Sequence, residues 1–257
     1  MRTSTFTAIL SVLTSGVFAS PISFQPLEVK ATNVSTAVSI EGITDSYLET
    51  WDDFTYPSIE NCNATQVKMI NKYYQDLLEV ASVARAHLIS EGVDEAFEHW
   101  FGENGNPLTV LGVIDNIVQG DKSGVLYRCD DIEGTCASHP TTYPGYHRVN
   151  ASQETVLCDL FFTSKKPLED MCVIGNITTV KPKKFAGIDL FHRFLHIESI
   201  SKGFVAEYVE DMDQLVDYAE HNSSYAVINT DNILYYIAES YALELTPGGC
   251  LGDYPGN

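Results

Sequence analysis

The stretch Gly-Ile-Asp-Leu-Phe-His-Arg-Phe-Leu-His at residues 187–196 decides how this chain is interpreted. It lies within residues 185–201, whose apolar spacing predicts a helix. On a helix, His192 and His196 project from the same face because they are four residues apart. That spacing lets both imidazoles bind one zinc ion at about 2.0–2.1 Å. Such a pair also arises by chance, so the surrounding sequence must decide between a metal site and a structural role.

A zinc site on this pair needs a third protein ligand, and a carboxylate is the natural type where no cysteine is spare. Glu207 follows His196 by eleven residues, beyond a helix stop at Gly203, so the chain can turn back and present it. Asp231 is the alternative third ligand. It lies at the start of a predicted final helix, where its simpler role is a helix cap. We therefore prefer Glu207.

Arg193 occupies the position of the general base in the H-E-x-x-H motif of zinc peptidases. In that motif the glutamate polarises a zinc-bound water and carries its proton. A guanidinium stays protonated at physiological pH, so Arg193 cannot accept that proton. Its charge beside a metal requires a balancing carboxylate, for which Asp189 and Glu198 are candidates. The sequence thus predicts a metal site with impaired catalysis.

Several features indicate an exported protein. Residues 1–19 have a positive start, a short apolar run and a small-residue exit, which predicts a signal peptide cleaved after Ala19. Six cysteines, an even number, indicate three disulfides, and five N-x-S/T sequons predict N-glycosylation. We expect secretion, with or without attachment to a cell wall. The cysteines are Cys62, Cys129, Cys136, Cys158, Cys172 and Cys250, and the sequon asparagines are Asn33, Asn63, Asn150, Asn176 and Asn222.

The net charge of the chain limits the classes of partner that it can bind. Its 257 residues carry a formal net charge of −20, which repels nucleic-acid phosphates and anionic lipid and attracts divalent cations. Because of this repulsion, we expect no nucleic-acid binding. No apolar run is long enough to span a bilayer, so we also expect no membrane insertion. The length suits one sizeable domain.

The pattern along the chain predicts an α+β fold that is mainly α, with a small sheet between helical regions. Residues 20–50 are expected to be a linker or pro-segment, and residues 51–257 the folded domain. His139 and His147 flank a Pro/Tyr-rich loop and are interpreted as exposed histidines rather than as a second metal site. The predicted helices are residues 66–92, 94–101, 107–119, 185–201, 204–221 and 230–245, the predicted strands are 124–129 and 155–162, and residues 136–149 are a predicted loop.

The cysteines stand within recognisable segments of sequence. In order, these are Cys62 before a long helix, Cys129-Asp-Asp-Ile-Glu-Gly-Thr-Cys136, Cys158-Asp-Leu-Phe-Phe, Pro167-Leu-Glu-Asp-Met-Cys172, the histidine pair and a Tyr-rich closing helix before Cys250. This order of segments resembles the deuterolysin type of fungal zinc protease, the aspzincins. The arginine of His192-Arg-Phe-Leu-His196 resembles more closely the fungal HRxxH family, which includes pH-regulated antigens, zinc-scavenging zincophores and a major mould allergen. The similarity covers roughly residues 51–250.

The resemblance implies a zincin-like metallopeptidase scaffold with zinc as its cofactor. It also implies that Cys62 pairs with Cys129, Cys136 with Cys158, and Cys172 with Cys250. Aspzincins take their third ligand from a G-T-x-D-x-x-Y-G segment. Residues 203–208 occupy about its place here, which favours Glu207.

Three functions follow as hypotheses. The preferred one is a secreted zinc-binding protein, a zinc scavenger or cell-surface antigen, with a cell-surface zinc transporter or host proteins as candidate partners. The alternative is an active zinc metalloendopeptidase that uses Glu198 or Glu207 as its base. A third is a wall or adhesion glycoprotein that holds no metal.

Overall fold

The computed structural model describes residues 55–255. The predicted signal peptide, the predicted linker and Asn33 lie outside these residues. Helices dominate the described part, and its strands form one small sheet, which confirms the predicted α+β class. The helices are α1 (Ala64–Glu91), α2 (Glu95–Phe101), α3 (Pro107–Gln119), α4 (Thr135–Ser138), α5 (Asp159–Ser164), α6 (Ala186–Leu195), α7 (Glu198–Ser201), α8 (Met212–His221), α9 (Ser223–Ala226) and α10 (Thr230–Leu245), and the strands are β1 (Ser58–Glu60), β2 (Leu126–Arg128), β3 (Gly145–Arg148) and β4 (Ala151–Leu157).

Helix α1 lies at the centre of the molecule and packs against α3, α6 and α10. It begins with a capping box, in which Asn63 and Gln66 each accept a hydrogen bond from the other's backbone N–H. It ends at Gly92, which has a φ of 71°. The apolar residues that predicted this helix form its buried face, including Ile70, Leu77 and Ala84.

The sheet has the strand order β1-β2-β4-β3, with β3 antiparallel to β4 and the other pairs parallel. Two expectations are wrong here. Residues 159–162 were predicted as strand, but β4 ends at Leu157 and α5 follows, with Phe161 buried in the core. Strand β3 forms inside the predicted loop. Pairing with β4, a tertiary contact, outweighs the Pro- and Gly-rich local sequence there.

Three disulfides brace the domain. Cys62 joins Cys129, Cys136 joins Cys158, and Cys172 joins Cys250, which confirms the pairing implied by the resemblance. Their partners are 67, 22 and 78 residues apart. Loops of this size give a stabilisation of about 2–4 kcal/mol for each bridge.

The two helices predicted over residues 185–201 and 204–221 are shorter than expected. The backbone N–H groups of His196 and Ile197 bond to carbonyls three residues earlier, so α6 tightens and ends at Leu195 with His196 as its C-cap. Lys202 and Gly203 then adopt positive φ angles of 57° and 65° and turn the chain. Residues 204–211 run outside regular secondary structure before α8 begins.

Candidate metal centre

Helix α6 carries His192 and ends at its C-cap His196, and it lies very close to α1. A Cβ atom at Gly187 would lie 2.6 Å from Cβ of Asp76 on α1, so only glycine permits this contact. Ile188 and Phe191 are fully buried, whereas the His192 and His196 side chains are 17% and 32% exposed. The close packing therefore fixes the helix and leaves its histidine face open.

Glu207 reaches the histidines because its neighbours are bonded to the turn before α10. The backbone of Ala206 bonds to Ile228 and Thr230. The buried Asn229 side chain accepts hydrogen bonds from the N–H groups of Tyr208 and Val209, at 2.8 and 3.2 Å. These contacts hold the backbone on both sides of Glu207.

The three predicted ligands His192, His196 and Glu207 converge. Their ligand atoms all lie within 4.8 Å of one another. Oε1 of Glu207 is 2.9 Å from Nε2 of His192 and 3.6 Å from Nε2 of His196. The two Nε2 atoms are 2.8 Å apart. The structure thus brings together two imidazoles one helical turn apart and a carboxylate from a different segment.

The electrostatics of the group suit a cation. The hydrogen bond with His192, followed by the nearby imidazole of His196, holds the pKa of Glu207 well below its usual range, so this carboxylate is ionised. Burial lowers the pKa of His192, although the hydrogen bond with Glu207 opposes it. An ionised carboxylate and a neutral imidazole are the forms that bind a metal.

The donor set fits zinc. Two imidazole nitrogens and one carboxylate oxygen are a common set of three protein ligands for a zinc ion, which binds such atoms at about 2.0–2.2 Å. Nitrogen atoms that can each donate an electron pair to a metal lie next to each other here, as the two Nε2 atoms do. A cation among the three ligand atoms would replace such contacts with bonds to the metal. When bound, zinc supplies positive charge and Lewis acidity at this position.

Arg193 points away from this group into the protein. Its Nε donates to Oδ2 of Asp189 at 2.9 Å, its Nη1 donates to Oγ1 of Thr155 at 3.2 Å, and its guanidinium lies over the Phe161 ring. Lys165 pairs with the other oxygen of Asp189 at 2.6 Å. Asp189 is therefore the carboxylate that balances Arg193.

The charges of this network are buried and satisfied. Burial raises the pKa of Asp189, but the charges of Arg193 and Lys165 outweigh it and keep the carboxyl ionised. Glu198, the other carboxylate considered for this role, is exposed on α7. The guanidinium is thus held by internal contacts.

Asp231, the alternative third ligand, is not part of the three-residue group. It is buried in the first turn of α10 and accepts a hydrogen bond from Nζ of Lys183 at 3.1 Å. Lys183 also lies 4.0 Å from Oε1 of Glu207 and 3.6 Å from Glu210. Asp231 therefore neutralises the lysine beside the group, and the N-cap position of α10 is occupied by Asn229 instead.

Sequence reasoning missed one residue beside this group. His139 is exposed and stacks on Tyr143, as its interpretation as a loop histidine expects. The same interpretation is wrong for His147, which lies on β3 with both ring nitrogens buried and its ring centroid 5.1 Å from that of His196. A strand of four residues gives too short an alternation to mark this histidine in the sequence.

A family model named HRXXH, described as "Putative peptidase family", matches residues 8–253. The chain belongs to the HRXXH family. Protein ZPS1 of Saccharomyces cerevisiae is 46% identical over 206 residues, which cover 79% of this chain and 82% of that protein. The pH-regulated antigen PRA1 of Candida albicans is 34% identical over 203 residues, covering 77% of this chain and 67% of the antigen.

A solved zinc peptidase from Grifola frondosa shares the fold of this HRXXH chain. The two superpose with a TM-score of 0.52 over 70% of this chain and 99% of the peptidase, at 17% sequence identity. The expected metallopeptidase-like scaffold is thereby confirmed. Among residues 55–255, every helix is too short or too polar to cross a bilayer.

Proposed function

We propose that this chain is a secreted zinc-binding protein, a zinc scavenger or cell-surface antigen, that holds one zinc ion at His192, His196 and Glu207. The carrying observation is the convergence of these three side chains, with one carboxylate oxygen within 3.6 Å of both Nε2 atoms. The excess of acidic residues in the chain adds a favourable long-range field for a cation.

Two observations favour metal binding over peptide hydrolysis. The guanidinium of Arg193, at the position of the general base, is bonded to Asp189 and Thr155 and cannot accept a proton. The three-residue group contains no carboxylate besides Glu207, which serves as a ligand. A water bound to the zinc would therefore lack a base among these three residues.

Secretion has independent support. The six cysteines form three disulfides and none is free, as is usual for proteins of oxidising compartments. The four sequon asparagines within the described residues are all exposed: Asn63, Asn150, Asn176 and Asn222. One HRXXH relative bears the name of an antigen. We extend the proposal to a signal peptide at residues 1–19, N-glycans at these positions, and a zinc transporter or host protein as partner.

The test is metal analysis of the full chain, expressed through the secretory route of a eukaryotic cell, together with a protein-cleavage assay. We expect one zinc ion per chain, no cleavage that a chelator inhibits, and a mass that falls after N-glycosidase treatment. Purified protein that takes up no zinc would overturn the proposal and favour the metal-free glycoprotein.

An active zinc peptidase is the second candidate, favoured by the fold shared with the Grifola frondosa peptidase. Cleavage by the wild-type chain that a chelator abolishes would establish it. The variant Arg193→Glu tests further whether the chain is a zinc-binding protein or an active peptidase. We expect no gain of cleavage, because a glutamate in the contacts of Arg193 would lie beside Asp189. Gain of cleavage would show that position 193 can reach the metal.

A further inference from the structure

His147 lies beside the candidate metal centre, on the sheet and not on helix α6. It is the third residue of β3, opposite Thr155 of β4. Its ring centroid is 5.1 Å from that of His196, and the two rings are inclined by 48°. The sheet therefore brings a third imidazole to the histidine face of α6.

The polar atoms of this imidazole are unsatisfied. Both Nδ1 and Nε2 of His147 are buried, and neither has a hydrogen-bond partner among the described residues. Buried polar groups are normally hydrogen-bonded or bound to an ion, so a buried imidazole without a partner needs an explanation. These nitrogens leave a lone pair on the ring that no described residue uses.

The spacing of the rings suits a shared ion. Two imidazoles that bind one tetrahedral zinc ion through nitrogens at about 2.0–2.1 Å have ring centroids about 5 Å apart. The His192 and His196 centroids are 4.7 Å apart, and the His147 and His196 centroids are 5.1 Å apart. Both pairs match this value, although the nitrogens of His147 lie outside the group of atoms within 4.8 Å.

The arginine that distinguishes this motif helps to hold the strand. Nη1 of Arg193 bonds to Thr155, the residue paired with His147. A Cβ atom at Gly145, the first residue of β3, would lie 2.5 Å from Nη1, so the guanidinium packs directly on the strand. Arg193 is a positioning residue in this arrangement, because it ties the sheet to the helix that carries the other two histidines.

We propose that His147 is the fourth protein ligand of the zinc ion and that the loaded site contains three histidines and Glu207. This inference rests on the proposed function and deepens it. Four protein ligands are typical of zinc sites that retain the ion, whereas catalytic sites keep one position open for water. A site closed by His147 binds zinc as cargo or as a structural ion and has no position left for the attacking water.

X-ray absorption of the zinc-loaded full chain tests this without a variant, because scattering from the imidazole rings counts the histidine ligands. We expect three histidines and one carboxylate. Cobalt substitution gives a second readout, since four-coordinate cobalt absorbs more strongly in the visible range than five- or six-coordinate cobalt. Two histidines with bound water in a wild-type protein that holds zinc would overturn this inference and leave the proposed function standing.

The matched variants are His147→Ala and His139→Ala, measured by zinc competition with a coloured chelator. We expect His147→Ala to weaken zinc binding by at least about tenfold, and to lose one histidine from the absorption fit. His139→Ala removes an exposed imidazole and should bind zinc as the wild type does. Equal affinity in both variants would contradict the proposal, whereas failure of the wild type to bind zinc would overturn the proposed function itself.

Discussion

Helix α6 carries two polar pairs with the same spacing and opposite environments. Asp189 and Arg193 are four residues apart, buried, and satisfied by each other and by Lys165. His192 and His196 are also four residues apart, but they are partly exposed and contact each other and Glu207. The first pair is complete without a ligand. The second pair and Glu207 together offer three electron-pair donors to a cation.

The difference teaches that spacing alone does not define a metal site. The i,i+4 spacing places the two members of each pair on the same face of the helix. What separates them is the partner supplied by the rest of the fold: a lysine for Asp189, and a carboxylate for the histidines. The same helix therefore has a structural face and a proposed ligand face, and variants on each face should have separate effects.

The largest effect is expected on the ligand face. The double variant His192→Ala with His196→Ala should abolish measurable zinc binding, because it removes both imidazole ligands. Unfolding of the zinc-free protein should change little, since the pair is partly exposed. Calorimetric titration measures the first and thermal unfolding the second. His221→Ala, which alters an exposed histidine of α8, is the control and should bind zinc normally.

Variants on the structural face should lower the free energy of unfolding. Asp189→Asn leaves the charges of Arg193 and Lys165 buried without a counter-ion, so we expect a loss of about 3–5 kcal/mol in the free energy of unfolding. Urea titration of the zinc-free chain measures it. Glu169→Gln is the control, because this exposed carboxylate pairs with Lys72 and should contribute less than about 1 kcal/mol. Similar losses in the two variants would contradict the buried network as a source of stability.

The third ligand can be assigned by a pair of amide variants. Glu207→Gln should weaken zinc binding by about 10–100-fold, because a neutral amide replaces an ionised ligand. Asp231→Asn should leave affinity near the wild-type value, since Asp231 contacts Lys183 and not the histidines. The reverse order of effects would make Asp231 the ligand.

A smaller effect is expected from pH. Protons compete with zinc for imidazole nitrogens, so affinity is complete above the usual histidine pKa and falls as pH decreases. From pH 7 to 5 we expect a total loss of zinc affinity on the order of tenfold. Burial lowers the pKa of His192, which shifts its contribution to the acidic end of this range. Affinity independent of pH between 7 and 5 would argue against histidine ligation.

The local sequence correctly predicted those helices whose bounds are set by nearby residues. Residues 107–119 were predicted as a helix between Pro107 and Gly120, and α3 has those bounds. Helix α1 begins two residues earlier than predicted, at its capping box. By contrast, residues 204–211 were predicted as part of a helix, and they leave regular structure because Asn229 bonds to Tyr208 and Val209 from about 20 residues away. Local periodicity contains no information about such a contact.

By itself, the sequence predicted the two histidines and the carboxylate that converges with them, because residue type and helical spacing are local properties. It also predicted that Arg193 cannot act as a base. Tertiary structure decided where the guanidinium of Arg193 goes, which carboxylate balances it, and that His147 of the sheet lies beside His196. These outcomes depend on segments that are distant along the chain and adjacent only after folding. The spacing of the histidine pair is thus determined by one helical turn of sequence, whereas the environment around the pair is created by packing.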